Sequence, residues 1–333
     1  MALDVHFLNE MMFAYMKSGL LRAALDLDLF THIKNGRRTA AEITAAAGAQ
    51  PRAVSIILDA LTAQQLMHKD GDRYILDPLV EALLVKDSPT YAGAFTRITL
   101  NPRLWSAVGQ LSEIARTGKV PEAMADVPEH EFWVEFSEAS EGIAQLTANG
   151  IADQLTLDQN KPAEILDVAV GSGVYGFTAL QRYPRARLTS LDWPNVLAHA
   201  RKIAERRGVV DRVTWLPGSA FDAPLPQAHF DAVIVSHFFH HFSLEENVKL
   251  AKRLAAALKP GGQVVVHEFV PDDARATHQQ ALTFAVVMLA TTLHGNAYTL
   301  AEYRRVLEAA GFRDLSITPI DISGSAVLAA RRA

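Results

Sequence analysis

The stretch Glu164-Ile-Leu-Asp167-Val-Ala-Val-Gly171-Ser-Gly173-Val-Tyr-Gly176, continued by Leu188-Thr-Ser-Leu-Asp192, decides the fold of this chain. A short apolar run ends in a glycine turn, a helix-like segment follows, and a second apolar run ends in an acid. That order holds a nucleoside-bearing ligand. Glycines let the backbone turn tightly and lie close to it, and the acid at the second strand tip accepts from two ribose hydroxyls. A dinucleotide fold usually carries G-x-G-x-x-G, with a pyrophosphate on the helix N-terminus. Here Asp167 stands beside the turn, where it repels a pyrophosphate and suits a cationic ligand bearing an amino group. Ala169 takes the first small-residue position, and its methyl is disfavoured only if φ is positive there. A lone glycine turn also occurs in unrelated α/β proteins, so the rest of the chain has to support the reading.

Composition narrows the field. At 333 residues the chain is long enough for about two domains and a substantial core. Its 49% hydrophobic and 21% charged residues describe an ordinary globular protein. A net charge of −5 gives no bulk attraction to nucleic acid or to an anionic membrane. No apolar run is long enough to span a membrane, and the N-terminus lacks a basic signal-like region, so a cytoplasmic enzyme is expected. There is no cysteine, which excludes disulfides, thiolate catalysis and cysteine–metal sites.

The first hundred residues read as helical. Met11 to Lys34 carries apolar residues at helical spacing, Thr39-Ala-Ala-Glu42 is a capping box stopped at Gly48, and Pro51 opens a helix to about Gln65. Leu66 to Leu76 reads as a hairpin over an Asp70-Gly71 turn. Two short helices and a hairpin make a winged helix, but the helix after Pro51 has one basic residue, Arg52, and one acid, Asp59. A groove-reading helix needs several basic or amide side chains, so DNA binding and a ligand-sensing regulator are disfavoured. The apolar helix from Met11 to Phe30 is too hydrophobic to stay exposed and predicts a homodimer through this domain. Residues 101–157 form a helical bridge, and from Lys161 strands alternate with helices. Candidates are 163–169, 187–191, 212–216, 230–236 and 261–268, closed by a pair at 312–320 and 324–331. The fold class is therefore α/β: a doubly wound, mostly parallel seven-stranded sheet in 101–333, preceded by a mainly helical domain in 1–100.

The ordered anchors Asp167–Gly173, Leu191-Asp192-Trp-Pro194, Leu216-Pro-Gly218-Ser-Ala-Phe221-Asp222, Ser236-His-Phe-Phe-His240-His241-Phe242, Leu258-Lys-Pro-Gly261-Gly262, His267-Glu268 and Tyr298 to Phe312 carry a resemblance over essentially the whole length. The chain resembles the S-adenosylmethionine (SAM) dependent O-methyltransferases that join an N-terminal winged-helix dimerisation domain to a Rossmann-like domain, the plant phenolic and bacterial polyketide or antibiotic type. The resemblance implies that Gly171 and Gly173 pass beneath the methionine part of SAM, with Asp167 near its amino group. Asp192 and Trp193 then sit at the ribose, Ala220 and Phe221 flank adenine, and Ser236 adjoins the cofactor. Ser219 stands where an acid is common, and Asp222 is a possible substitute. After transfer the product is S-adenosylhomocysteine (SAH).

By the same resemblance His240 is the general base that deprotonates an acceptor hydroxyl, and Glu268 orients its ring. His237 and His241 are candidate substrate contacts, together with Phe284, Met288 and Thr292 at helical spacing; core packing is the competing reading for that stripe. Trp105, Trp133, Phe136 and Phe13 are further candidates for the pocket. Ala297 replaces a family acid, leaving His240 with Glu268, or His294, to act. No metal is expected, because no aspartate cluster or thiol supports the histidines. The function implied is O-methylation of a small aromatic or polyketide-like hydroxyl. The alternatives that keep the same site are N-, S- or C-methylation, or a repurposed reaction of pericyclase, decarboxylase or hydroxylase type.

Overall fold

A computed structural model describes residues 4–123, 127–320 and 324–333. The chain divides into two compact units, Met1–Asn101 and Pro102–Ala333. In the first, Asp4 caps a helix Val5–Asp26 by accepting from the Phe7 amide at 2.8 Å. The single helix expected through Lys34 is broken, because Asp28 turns left-handed at φ 54° and a second helix runs Leu29–Lys34. The break lets both helices bury apolar faces, with Leu25, Leu29, Phe30 and Ile33 meeting Ile43, Val54, Leu58 and Tyr74 in one core. The Thr39–Glu42 capping box opens helix Ala40–Ala47, and helix Pro51–Ala63 follows. Strands β1 (Met67–Asp70) and β2 (Arg73–Leu76) then form the hairpin, with Asp70 paired to Arg73. Val5, Leu8, Met11, Met12 and Met16 lie exposed along the first helix.

The second unit holds the sheet. Its strands are β3 (Ala163–Val168), β4 (Ala186–Asp192), β5 (Val213–Pro217), β6 (Phe230–Ser236), β7 (Leu258–Glu268), β8 (Phe312–Ile320) and β9 (Ser325–Arg332). Their order is β5-β4-β3-β6-β7-β9-β8, parallel through β7, with β9 antiparallel to both neighbours. Central strands read as unbroken apolar runs because both faces are covered. Leu166, Val168, Val233 and Val235 enter one core, and Ile165, Ile234, Val265 and Phe177 the other. Strand order reverses between β3 and β6, and in such a sheet the crevice beyond the strand ends at that point receives the ligand. Helix Glu131–Ala152 packs beside helices Val174–Arg182 and Pro194–Arg206, helped by Arg206–Glu141 and Arg207–Gln145 bonds. No helix among the described residues is long and apolar enough to cross a membrane.

Candidate active site

Three residues in the turn after β3 are left-handed: Ala169 at φ 54°, Gly171 at 53° and Gly173 at 76°. At Gly173 a Cβ would stand 2.2 Å from the Phe177 ring, so glycine is needed for space as well as for φ. Ala169 is held where its methyl is disfavoured, at a cost of about 1–2 kcal/mol. Asp192 closes the turn from the tip of β4. Its Oδ2 accepts from the Gly171 amide at 2.9 Å and its Oδ1 from the Trp193 amide at 2.7 Å. Burial pushes its carboxyl up to about 6, against the pull of those two amides. Each oxygen keeps a lone pair, the capacity a ribose diol requires. The residues present therefore fit a nucleoside ligand.

Asp167 lies beneath the turn, 2% exposed, where its Oδ2 accepts from the Gly176 amide at 3.1 Å. Burial drives its carboxyl well above the usual range. Beyond β5, Ser219 Oγ accepts from the Phe221 amide at 3.1 Å and so serves its own turn, while Asp222 is exposed. Ala220 is buried, its carbonyl held by Arg253, and the Phe221 ring meets the Phe242 ring edge-on at 4.8 Å.

The tips of β6 and β7 bring the histidines together. His240 sits in a single 3-10 turn, Phe239–His241, anchored by Asn247 Nδ2 on the Phe239 carbonyl at 2.8 Å. The Ser243–Glu246 capping box starts the next helix immediately afterwards. His240 is 5% exposed, and its Nδ1 lies 2.6 Å from Oε2 of the fully buried Glu268. Glu268 Oε1 accepts from the Phe238 amide at 2.9 Å and from the His240 amide at 3.3 Å. Burial pushes the Glu268 carboxyl up and the His240 ring down, while His237 and these amides favour the carboxylate. The arrangement is a carboxylate accepting from a neutral imidazole through Nδ1–H, which leaves Nε2 as the basic atom.

His237 takes a left-handed φ of 50° at the end of β6, with its Nδ1 3.9 Å from Glu268 Oε2. These three side chains offer ligand atoms within 4.8 Å of one another. Zinc bonds of about 2.0–2.1 Å in a tetrahedron would separate ligand atoms by about 3.3 Å. The 2.6 Å spacing of His240 and Glu268 is that of a charge-assisted hydrogen bond. As folded, the two side chains are hydrogen-bonded to each other.

Around this pair, Phe284 meets the His240 ring edge-on at 4.8 Å, and Trp133 meets His241 at 5.3 Å. Phe136 packs on Trp133 at 6.1 Å. Met288 is buried, and Thr292, expected to face an acceptor, spends its hydroxyl on the Met288 carbonyl at 2.7 Å and the Gly295 amide at 2.9 Å. Thr292 is the cap that follows helix Gln279–Thr291. Trp105 is 41% exposed, Phe13 lies in the other unit, Ala297 is fully buried and His294 is exposed. The Asn296 amide donates to the His240 carbonyl at 2.9 Å, so this segment supports His240 through the backbone. Sequence reasoning gave no role to His267, which is buried beside Glu268 and bonds Ser236 Oγ through Nδ1 at 3.0 Å. Its polar ring inside an apolar run was the signal available.

The doubly wound sheet, the glycine turn and the acid at the next strand tip are those of a Rossmann-like nucleoside-binding domain. The O-methyltransferase domain model matches residues 120–313, and the O-methyltransferase dimerisation domain model matches 9–86. The chain belongs to this O-methyltransferase family and is a SAM-dependent methyltransferase. It is 30% identical to TcmO, the tetracenomycin polyketide synthesis 8-O-methyl transferase of Streptomyces glaucescens, over 97% of this chain and 95% of that one. It is 28% identical to the 3-hydroxy-5-methyl-1-naphthoate 3-O-methyltransferase of Streptomyces sahachiroi, over 91% and 88%. A solved structure from Nostoc punctiforme, assigned as an O-methyltransferase, superimposes with a TM-score of 0.91 at 28% identity, covering 100% of both chains.

Proposed function

We propose that this enzyme moves a methyl group from SAM to a hydroxyl of a small aromatic or polyketide-like acceptor, with His240 as general base oriented by Glu268. The observation that carries the reading is the 2.6 Å contact between His240 Nδ1 and Glu268 Oε2, buried at the strand tips. When bound, SAM supplies a sulfonium methyl for in-line displacement. A phenol with a pKa of about 10 is sparsely ionised at neutral pH, so its proton has to be removed as the oxygen attacks. His240 Nε2 takes that proton, and Glu268 stabilises the imidazolium that results.

Asp192, Gly171, Gly173 and Trp193 hold the ribose and methionine side of the ligand, and Ala220 with Phe221 the adenine side. Asp167 shapes the turn from below. Phe284 and Trp133, set about the base, support a flat acceptor, with His237 and His241 as its polar neighbours. The two named relatives, one from polyketide synthesis and one acting on a hydroxynaphthoate, support the same class. The His–Glu pair favours a hydroxyl acceptor over the other chemistries that share this site. The dimerisation-domain match and the exposed apolar face of the first helix support a homodimer through the N-terminal unit.

The test is transfer of label from methyl-labelled SAM to a panel of hydroxynaphthoates and hydroxyanthraquinones. Label on an oxygen of at least one acceptor is expected. SAH binding with an acceptor consumed but unlabelled would turn the reading towards a reaction without methyl transfer.

A further inference from the structure

The loop between β7 and helix Gln279–Thr291 is built around one carboxylate. Asp272 Oδ1 accepts from the amides of Ala276, Thr277 and His278 at 3.2, 2.8 and 3.0 Å, and the Asp272 carbonyl from the Arg275 amide at 2.8 Å. Within that turn Arg275 is left-handed, at φ 52°. Its guanidinium leaves the loop and bonds a different segment. Nη2 donates to Asn296 Oδ1 and to the Ala297 carbonyl, both at 3.0 Å, and Nη1 donates to Glu302 Oε2 at 3.4 Å. Beside it, Asp273 Oδ1 accepts from the Ala301 amide at 3.1 Å. Glu302 also completes the capping box that starts helix Leu300–Ala309.

The segment held in this way grips the turn that carries His240. The Asn296 amide donates to the His240 carbonyl, and the Tyr298 hydroxyl to the Phe242 carbonyl. The contacts run in a closed ring. Glu268 ends β7 and bonds the His240 ring, the chain beyond it leads to Arg275, Arg275 holds Asn296, and Asn296 holds the His240 backbone. His240 is thereby fixed by its ring from one side and by its carbonyl from the other. Bonds from a charged donor are stronger than neutral ones, and the planar fork of arginine lets one side chain serve three acceptors. Ala297, fully buried, contributes only its carbonyl to this brace.

We propose that Arg275 is a positioning residue for methyl transfer, closing the ring that holds His240 where an acceptor hydroxyl gives up its proton. The proposal rests on the reading of His240 as general base. Transfer would be measured for the wild type, Arg275→Ala, Arg275→Lys and His240→Ala, using the acceptor of the panel above that the wild type methylates fastest. SAH titrations and circular dichroism would accompany each protein. A misplacement of about 1 Å remote from the chemistry costs up to about 10²-fold, so Arg275→Ala should lower kcat about 5- to 50-fold at about pH 7, with SAH affinity within about twofold of wild type. The deficit should shrink to within about threefold near pH 10, where a phenol with a pKa of about 10 ionises without a base. Arg275→Lys, which keeps the charge without the fork, should fall between Arg275→Ala and wild type. Wild-type kcat in Arg275→Ala at about pH 7 would overturn the proposal. So would a deficit that stays level across the pH series, the outcome for a brace that serves stability alone. If Arg275→Ala fails to fold, Arg275→Lys is read by the same two criteria. A deficit in His240→Ala that stays level across the series would remove the base reading itself, and that variant tells the two failures apart.

Discussion

The tips of β3 and β4 and the tips of β6 and β7 share one edge of one sheet, yet they are built differently. At the first pair the backbone does the work, through three left-handed residues, a glycine that must lack a Cβ, and amides bonded to Asp192. At the second pair side chains do it, through a buried carboxylate and a cluster of neutral imidazoles. A backbone-built site is specified by neighbours in sequence. A side-chain-built site depends on partners that only the fold brings together, such as His240 and Glu268, 28 residues apart.

Substitutions at the two ends should therefore separate binding from transfer. The largest effect is expected for His240→Ala, a fall in kcat of about 10²–10⁴-fold, with SAH affinity unchanged by calorimetry. A matching loss of SAH affinity would mean the two ends are not separable. Asp192→Ala should do the reverse, weakening SAH by about 10- to 100-fold in the same titration, since hydrogen bonds to a charged group are each worth about 1.5–3 kcal/mol.

A pH series sharpens the contrast. Asp192, raised to about 6 by burial, takes up a proton as pH falls through that value and loses an acceptor. SAH affinity should then drop several-fold between about pH 7.5 and 5.5, and an Asp192→Asn variant should show no such slope. The smallest effect is expected for Ala169→Gly. Relief of the left-handed methyl, about 1–2 kcal/mol, is offset by the entropy glycine loses on folding, about 0.5–1 kcal/mol. The net gain is under about 1.5 kcal/mol and should be read as a small rise in Tm, whereas a fall would show that the methyl packs favourably.

The same contrast explains what the sequence made legible. The turn, both acids, the strand alternation and the closing pair β8–β9 follow from local spacing and period. His240 and Glu268 were named through the family resemblance, and the structure places them 2.6 Å apart at the ends of β6 and β7. The bonds of His267 were hidden, because its partners Ser236 and Ser325 lie 31 and 58 residues away and small hydroxyls leave no pattern. The commitment of the Thr292 hydroxyl to the Met288 carbonyl and the Gly295 amide was not legible, because helical spacing says nothing of where a helix stops. The break at Asp28 was invisible because the apolar periodicity runs on through it.

One packing detail bears on how such an enzyme acquires new acceptors. At Gly295 any Cβ would stand 2.4 Å from the His240 carbonyl and 2.5 Å from Thr292 Oγ1. That position is closed to innovation, since any side chain there would displace the His240 backbone. Phe284 and Trp133 project from helices next to the same histidines without carrying their hydrogen bonds. Drift, or a directed library, can change those two aromatic rings while the His240–Glu268 contact stays fixed. Tolerance to substitution is thus expected on the helices rather than at the strand ends.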